Sequence, residues 1–155
     1  MPYEIERKFL VTGTFKNLAF RKSRIRQGYI STGKHATVRV RTKEDKGYIT
    51  IKGKPISEGF MRYEWEKEIP FLDAEELLLL CDDSYVDKIR YEISMGNHIF
   101  EVDEFLGKNQ GLLVAEIELK DEHEVFEKPN WLGMEVTFDK KYTNTHLAKH
   151  PFTEW

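Results

Sequence analysis

A second cysteine is missing. Cys81 stands alone, so an internal disulfide is excluded and a reducing, intracellular setting is the expectation. Long apolar runs are missing too: the longest, LLLLC at 77–81, falls far short of the roughly 20 residues that a membrane-spanning helix requires. No basic region followed by an apolar core opens the chain, so the expected location is the cytoplasm, with no membrane partner. Neither sign of charge dominates, since 24 basic and 27 acidic residues leave −3. That gives no global field to attract nucleic acid, and any polyanion site must be local. Repeats, linkers and glycine-rich phosphate loops are also absent, and the five histidines show no metal-ligand spacing.

What is present fits one domain, residues 1–155, with 40% hydrophobic, 33% charged and 13% aromatic residues. The dominant period is two. It recurs in YEIERKFLV (3–11), IRQGYIS (25–31), TVRVRT (37–42), YITIKG (48–53), RYEWEKEI (62–69), DKIRYEIS (87–94), HIFEVDEF (98–105), LVAEIEL (113–119) and MEVTF (134–138), which predicts about nine strands. A hairpin is expected across Lys46-Gly47 and a tight turn at Met95-Gly96-Asn97. Short helices are expected from Asp73, as its cap, from Asp121 and through NTHLAKH (144–150), with a fourth candidate at 14–19.

Side chains two apart on a strand share a face. One parity collects Glu4, Glu6 and Lys8, then Arg39 and Arg41, Lys52, Arg62 with Glu64, Glu66 and Glu68, Lys88 and Arg90, Glu101 and Asp103, and Glu116 and Glu118. The other parity is apolar. An antiparallel sandwich with a solvated charged face accounts for any one strand. Taken together, the strands favour a barrel with the charges inside. Arg39 and Arg41 hold two guanidiniums about 7 Å apart, which suits a row of phosphate oxygens. Charges of both signs in a confined space are costly unless paired, hydrogen-bonded or neutralised by ligand and metal, and a triphosphate with divalent ions matches both signs. Oxygen-only donors favour Mg²⁺ or Mn²⁺ over Zn²⁺.

In sequence order these residues, E-x-E-x-K at Glu4, Glu6 and Lys8, R-x-R at Arg39 and Arg41, Lys52, K-x-R at Lys88 and Arg90, and E-x-E at Glu116 and Glu118, resemble the CYTH family of triphosphate tunnel metalloenzymes. The resemblance implies a closed eight-stranded antiparallel β-barrel with a few short covering helices, cleaving a small-molecule triphosphate with a divalent ion. It implies Glu4, Glu6, Glu116, Glu118 and further Asp103 as metal ligands, and Arg39, Arg41, Lys52, Lys88 and Arg90 as phosphate clamps. VTFDKKYTN (136–144) resembles the family's D-x-R-Y-x-N, with Lys141 where arginine is commoner, so Lys141 joins the expected phosphate contacts. Lys8 and Tyr29 are expected as a pair that activates water or closes one tunnel end. Inorganic triphosphate is the preferred substrate because no residue set remains to read a base or a thiamine ring. Adenylate cyclisation, nucleoside or thiamine triphosphate hydrolysis and polyphosphate binding without turnover stay open, as does a homodimer.

Overall fold

The computed structural model describes residues 3–56, 61–81 and 85–155. Alternating β-branched, aromatic and charged side chains extend nine strands: β1 (Tyr3–Val11), β2 (Arg21–Thr32), β3 (Ala36–Lys43), β4 (Lys46–Gly53), β5 (Met61–Ile69), β6 (Tyr85–Met95), β7 (His98–Phe105), β8 (Leu113–Leu119) and β9 (Leu132–Glu135). Two α-helices accompany them, α1 (Phe71–Leu79) and α2 (Asn144–Lys149). Every strand pairing is antiparallel, in the order β5-β4-β3-β2-β6-β7-β8-β1, and β1 returns to β5. Eight strands therefore close on themselves, which leaves few edges to protect.

The closing seam is short, with Tyr3, Glu4 and Ile5 opposite Tyr63, Arg62 and Met61. Further along β1, β9 takes over that edge, with Phe9 opposite Glu135 and Val11 opposite Leu132. The ninth strand is thus an edge cover outside the ring and lies earlier in the chain than the predicted 134–138.

Register carries the charged parity inward. Glu6 faces Glu118 and Lys8 faces Glu116, Arg41 faces Gln27 and Arg39 faces Tyr29, and Arg90 faces Asp103. The outward parity of β1, β6, β7 and β8 forms an apolar cluster around Phe9, Tyr91, Phe100, Val102 and Ile117, covered by Phe15 and Trp131. A second cluster has the inward parity: Tyr29, Val86, Phe105 and Val114 pack against Leu147 and Ala148 of α2. Helix α2 therefore seals part of one barrel end. The Asn109 side chain pins it there, donating to the Leu147 carbonyl at 3.3 Å and accepting from the Phe152 amide at 2.8 Å.

Several local expectations are corrected. The β3–β4 turn is at Glu44-Asp45, with Glu44 at φ 54°, so Gly47 already lies in β4, opposite Thr42 and Ile69. Its glycine is required by packing, because a Cβ there would meet the Ala74 Cβ of α1 at 2.6 Å. Gly47→Ala should therefore destabilise the fold by about 1–3 kcal/mol through overpacking, read as a lowered thermal midpoint; an unchanged midpoint would show that α1 gives way freely. Helix α1 starts one turn earlier than predicted, after Pro70, so Asp73 sits in the first turn, where its charge suits the helix dipole, and does not cap it. No helix forms from Asp121. Its carboxylate instead accepts from the His123 amide at 2.8 Å, which turns the chain locally. The 14–19 candidate is a single 3-10 turn, Lys16–Leu18. Helix α2 ends before Pro151 as predicted, and Thr143 caps it. Among the described residues no helix is long and apolar enough to cross a membrane.

Candidate active site

The inward side chains line a lumen cavity of about 240 Å³. Six carboxylates, those of Glu4, Glu6, Glu64, Glu101, Glu116 and Glu118, face seven cations, Lys8, Arg39, Arg41, Lys52, Arg62, Lys88 and Arg90. Tyr29, Thr37 and the start of α2 complete the wall. The sequence-predicted residues thus converge in one cavity, with two exceptions, Asp103 and Lys141.

Asp103 lies behind the cations. It is 1% exposed, accepts a two-pronged bond from Arg90 at 2.8 and 3.0 Å and pairs with the Lys88 ammonium at 2.8 Å. Both its oxygens are therefore engaged by cations, an arrangement unlike the metal ligand expected. Lys141 is exposed and stacks its ammonium over the Tyr142 and Trp155 rings, 5.5 and 5.0 Å from their centroids, outside the lumen. Its neighbour Lys140 turns towards the barrel end instead.

Arg39 and Arg41 are held as a pair. Each directs one Nη2 at the same Glu66 oxygen, at 3.5 and 3.2 Å, and the fully buried Thr50 hydroxyl donates to that oxygen at 2.6 Å. Both guanidiniums keep a buried Nε–H with no partner among the described residues. An unsatisfied buried donor costs about 1–3 kcal/mol, and an anion in the lumen would satisfy both. Burial, then the nearby Arg39 and Arg90 charges, lowers the Arg41 pKa to about 10, so a negative ligand is favoured there. Lys88 is brought down to about 8, chiefly by burial; beyond Asp103, its ammonium donates to the Asn144 side chain at 3.0 Å.

The cations hold the carboxylates unequally. Burial would raise the Glu116 pKa, but the Lys8, Arg90 and Lys88 charges outweigh it and hold the group well below the usual range; the Lys8 ammonium is 3.6 Å away. Glu4 is tied to Lys52 at 2.8 Å and to Arg62 at 2.9 Å, yet burial, with the neighbouring Glu64, still raises its pKa. Glu6 and Glu118 are less closely held: Glu6 meets Arg62 at 3.8 Å, and Glu118 makes no ion pair among the described residues. They sit directly opposite each other on β1 and β8, an arrangement of like charges that opposes strand pairing. Burial and then Glu116 push Glu6 up to about 7, and burial followed by Glu4 and Glu6 raises Glu118.

A hard divalent cation fits this donor set, because it would lie between carboxylates that otherwise repel. Among the described residues no three acidic, imidazole or thiol groups form a ready cage.

Lys8 and Tyr29 both line the cavity but are not hydrogen-bonded to each other. Lys8 donates to the Tyr142 carbonyl at 3.4 Å, and the Tyr29 hydroxyl accepts from the Gln27 amide at 3.0 Å. Gln27, Arg62, Glu66 and Asn144 were not among the predicted site residues. The charged parity contained Arg62 and Glu66; Gln27 shares the strand face of Tyr29, and Asn144 ends the D-x-R-Y-x-N-like stretch at 136–144, but neither residue type announced a role.

A closed barrel with an ionic lumen, oxygen-rich on one wall and guanidinium-rich on the other, defines a tunnel protein for polyanions. The CYTH domain matches residues 2–147. Over 154 residues, 98% of this chain and 97% of the relative, the sequence is 49% identical to an inorganic triphosphatase of Acetivibrio thermocellus. An inorganic triphosphatase of Nitrosomonas europaea is 35% identical over 149 residues, 94% of this chain and 96% of that protein. The crystal structure of an inorganic triphosphatase superposes with a TM-score of 0.69 at 34% identity, covering 94% of this chain and 93% of that one. The chain belongs to the CYTH family, and membership implies a divalent metal ion and a small-molecule triphosphate.

Proposed function

We propose that the chain hydrolyses inorganic triphosphate in the barrel lumen with Mg²⁺ or Mn²⁺. The observation that carries this reading is the pair of buried, unpartnered Nε–H donors on Arg39 and Arg41 across from the opposed Glu6 and Glu118. The two donors lack an acceptor, and the opposed carboxylates, whose pKa values are both raised, carry more negative charge than Arg62, 3.8 Å from Glu6, offsets. Both relatives named for inorganic triphosphate share more than a third of their residues with this chain.

Arg39 and Arg41 grip phosphoryl oxygens, and Glu66 with Thr50 keeps the two forks side by side. Lys52, Lys88 and Arg90 spread further positive charge along the lumen, which matters because charge in phosphoryl transfer is distributed over the transferred group's oxygens. Glu4, Glu6, Glu116 and Glu118 are the assigned holders of the divalent ions, and Asp103 is assigned to orient Lys88 and Arg90. When bound, divalent ions supply charge neutralisation and acidify a water. Lys8, held near Glu116 and the Tyr142 carbonyl, is assigned to a phosphate of the substrate. Tyr29 keeps its own O–H proton free to donate, since its oxygen accepts from Gln27.

Incubation with inorganic triphosphate, ATP or thiamine triphosphate, with and without Mg²⁺ or Mn²⁺, tests the proposal. Phosphate release from inorganic triphosphate that stops on chelation is expected. Cyclic AMP formed from ATP would establish the cyclase alternative instead, and binding without turnover would establish a receptor. Arg39→Ala should lower kcat/KM by roughly 10- to 100-fold, the loss of one charge-assisted hydrogen bond of about 1.5–3 kcal/mol; unchanged kinetics would remove Arg39 from the clamp.

A further inference from the structure

The two ends of the barrel are lined differently. Antiparallel order brings the ends of β2 and β4 and the starts of β3 and β5 to one rim, beside α2. There a groove of about 800 Å³ opens between the strand ends and the C-terminal segment, sharing Thr37, Lys52, Arg62, Thr143 and Thr145 with the lumen. Near the other rim stand Glu101 and Glu118, where β7 begins and β8 ends. In the groove, among the described residues, no carboxylate contributes to the lining.

We propose that this groove is a second oxyanion site, which takes a phosphate-type anion without any divalent ion. In the lumen the carboxylates nearly balance the cations, so a bare polyanion meets repulsion as well as attraction. The groove lacks that opposition. Lys54, Lys140 and Lys149 line it, and none of the three makes an ion pair among the described residues. Among the described residues Lys149 donates only to the Thr32 hydroxyl, at 2.7 Å, and the buried His146 Nδ1 has no partner. Three exposed ammoniums without ionic partners and the Thr32 and Thr37 hydroxyls line one concavity, and a multiply charged anion is drawn to such a concentration of one sign of charge. Ammonium point charges with hydroxyl donors suit a tetrahedral oxyanion, whereas a planar carboxylate is better met by a guanidinium fork. The site adjoins the lumen and shares lining residues with it, so a polyanion can be held there before or after any encounter with metal.

Binding of inorganic pyrophosphate to the full chain in excess EDTA, followed by calorimetry and by the ring proton resonances of His146 and His150, tests the proposal apart from hydrolysis. The wild type should bind pyrophosphate with the metal chelated and shift both histidine resonances. Lys140→Ala with Lys149→Ala should weaken binding at least 10-fold, and Arg39→Ala should change it less than 3-fold. Both lysines are exposed, and a circular dichroism melt checks that the double variant is folded; Lys140→Gln with Lys149→Gln serves if it is not. No binding in EDTA, or a loss in Arg39→Ala whether or not the lysine variant also loses affinity, overturns the site, because the anion then sits in the lumen or nowhere. An absence of turnover with Mg²⁺ would sink the hydrolytic reading and leave this one standing.

Discussion

A Glu6→Gln variant should lose turnover of inorganic triphosphate by on the order of a thousand-fold, the several kcal/mol that a metal ion contributes to a transition state, and its metal-free fold should become more stable. The two effects have one origin. Glu6 is opposite Glu118 across the β1–β8 pairing, and burial with the Glu116 and Glu4 charges pushes its pKa from 4.5 to about 7. A carboxyl whose folded pKa lies above its unfolded value favours the fold while protonated. That advantage is full below about pH 4.5 and fades as pH rises towards about 7. Above that the ionised group costs up to about 3 kcal/mol. Glutamine stays neutral throughout. At pH 8 with chelator the variant should therefore melt above the wild type, and near pH 4.5 the two should converge. Added Mg²⁺ should reverse the order at pH 8, stabilising the wild type by mass action and leaving the variant unmoved. Thermal melts at the two pH values, with EDTA and with Mg²⁺, read both signs. A variant that turns over normally, or that melts lower without metal at pH 8, would refute the role given to Glu6.

Period-two reading reaches the lumen wall because a strand offers only two faces, and Glu4, Glu6, Arg39, Arg41, Lys88 and Arg90 all needed only the right parity. Closure of the ring was legible for a related reason: charges of both signs on one face find compensation only if that face curls inward. Pairing partners were not legible. Whether Asp103 met a metal or Arg90 depended on the register between β6 and β7, which no local pattern records. The opposition of Glu6 and Glu118 is equally a product of register. The remaining errors are competitions between near-equal local choices. At 121–126 an aspartate turn displaced a helix, since short polar helices gain little without a packed face. At the β3–β4 turn Glu44 took the positive φ because Gly47 was needed under α1. Near the C-terminus, aromatic rings drew Lys141 outward and left Lys140 on the barrel side.

Asp103→Ala should cost the metal-free protein about 3–5 kcal/mol, the loss expected when a buried ion pair is broken from one side, and lower its melting midpoint by roughly 10 °C. The reason lies in what remains. Lys88 is 1% exposed and Arg90 8%, and Asp103 is the carboxylate that meets both at 2.8 Å. Removing it leaves Arg90 with Glu101 at 3.4 Å, a weaker partner, and leaves Lys88 with the Asn144 side chain. Lys88, already lowered to about 8 chiefly by burial, should shed its proton more readily still. Asp103→Asn should fall between, since an amide keeps one acceptor oxygen but no charge. Phosphate added without metal should recover part of the lost midpoint in Asp103→Ala, because the two freed cations lack only an anion. The competing assignment, Asp103 as a metal ligand, predicts the opposite pattern: a metal-free midpoint close to wild type and a loss confined to Mg²⁺-dependent stabilisation and turnover. Melts of the chelated variants decide between them before any activity is measured.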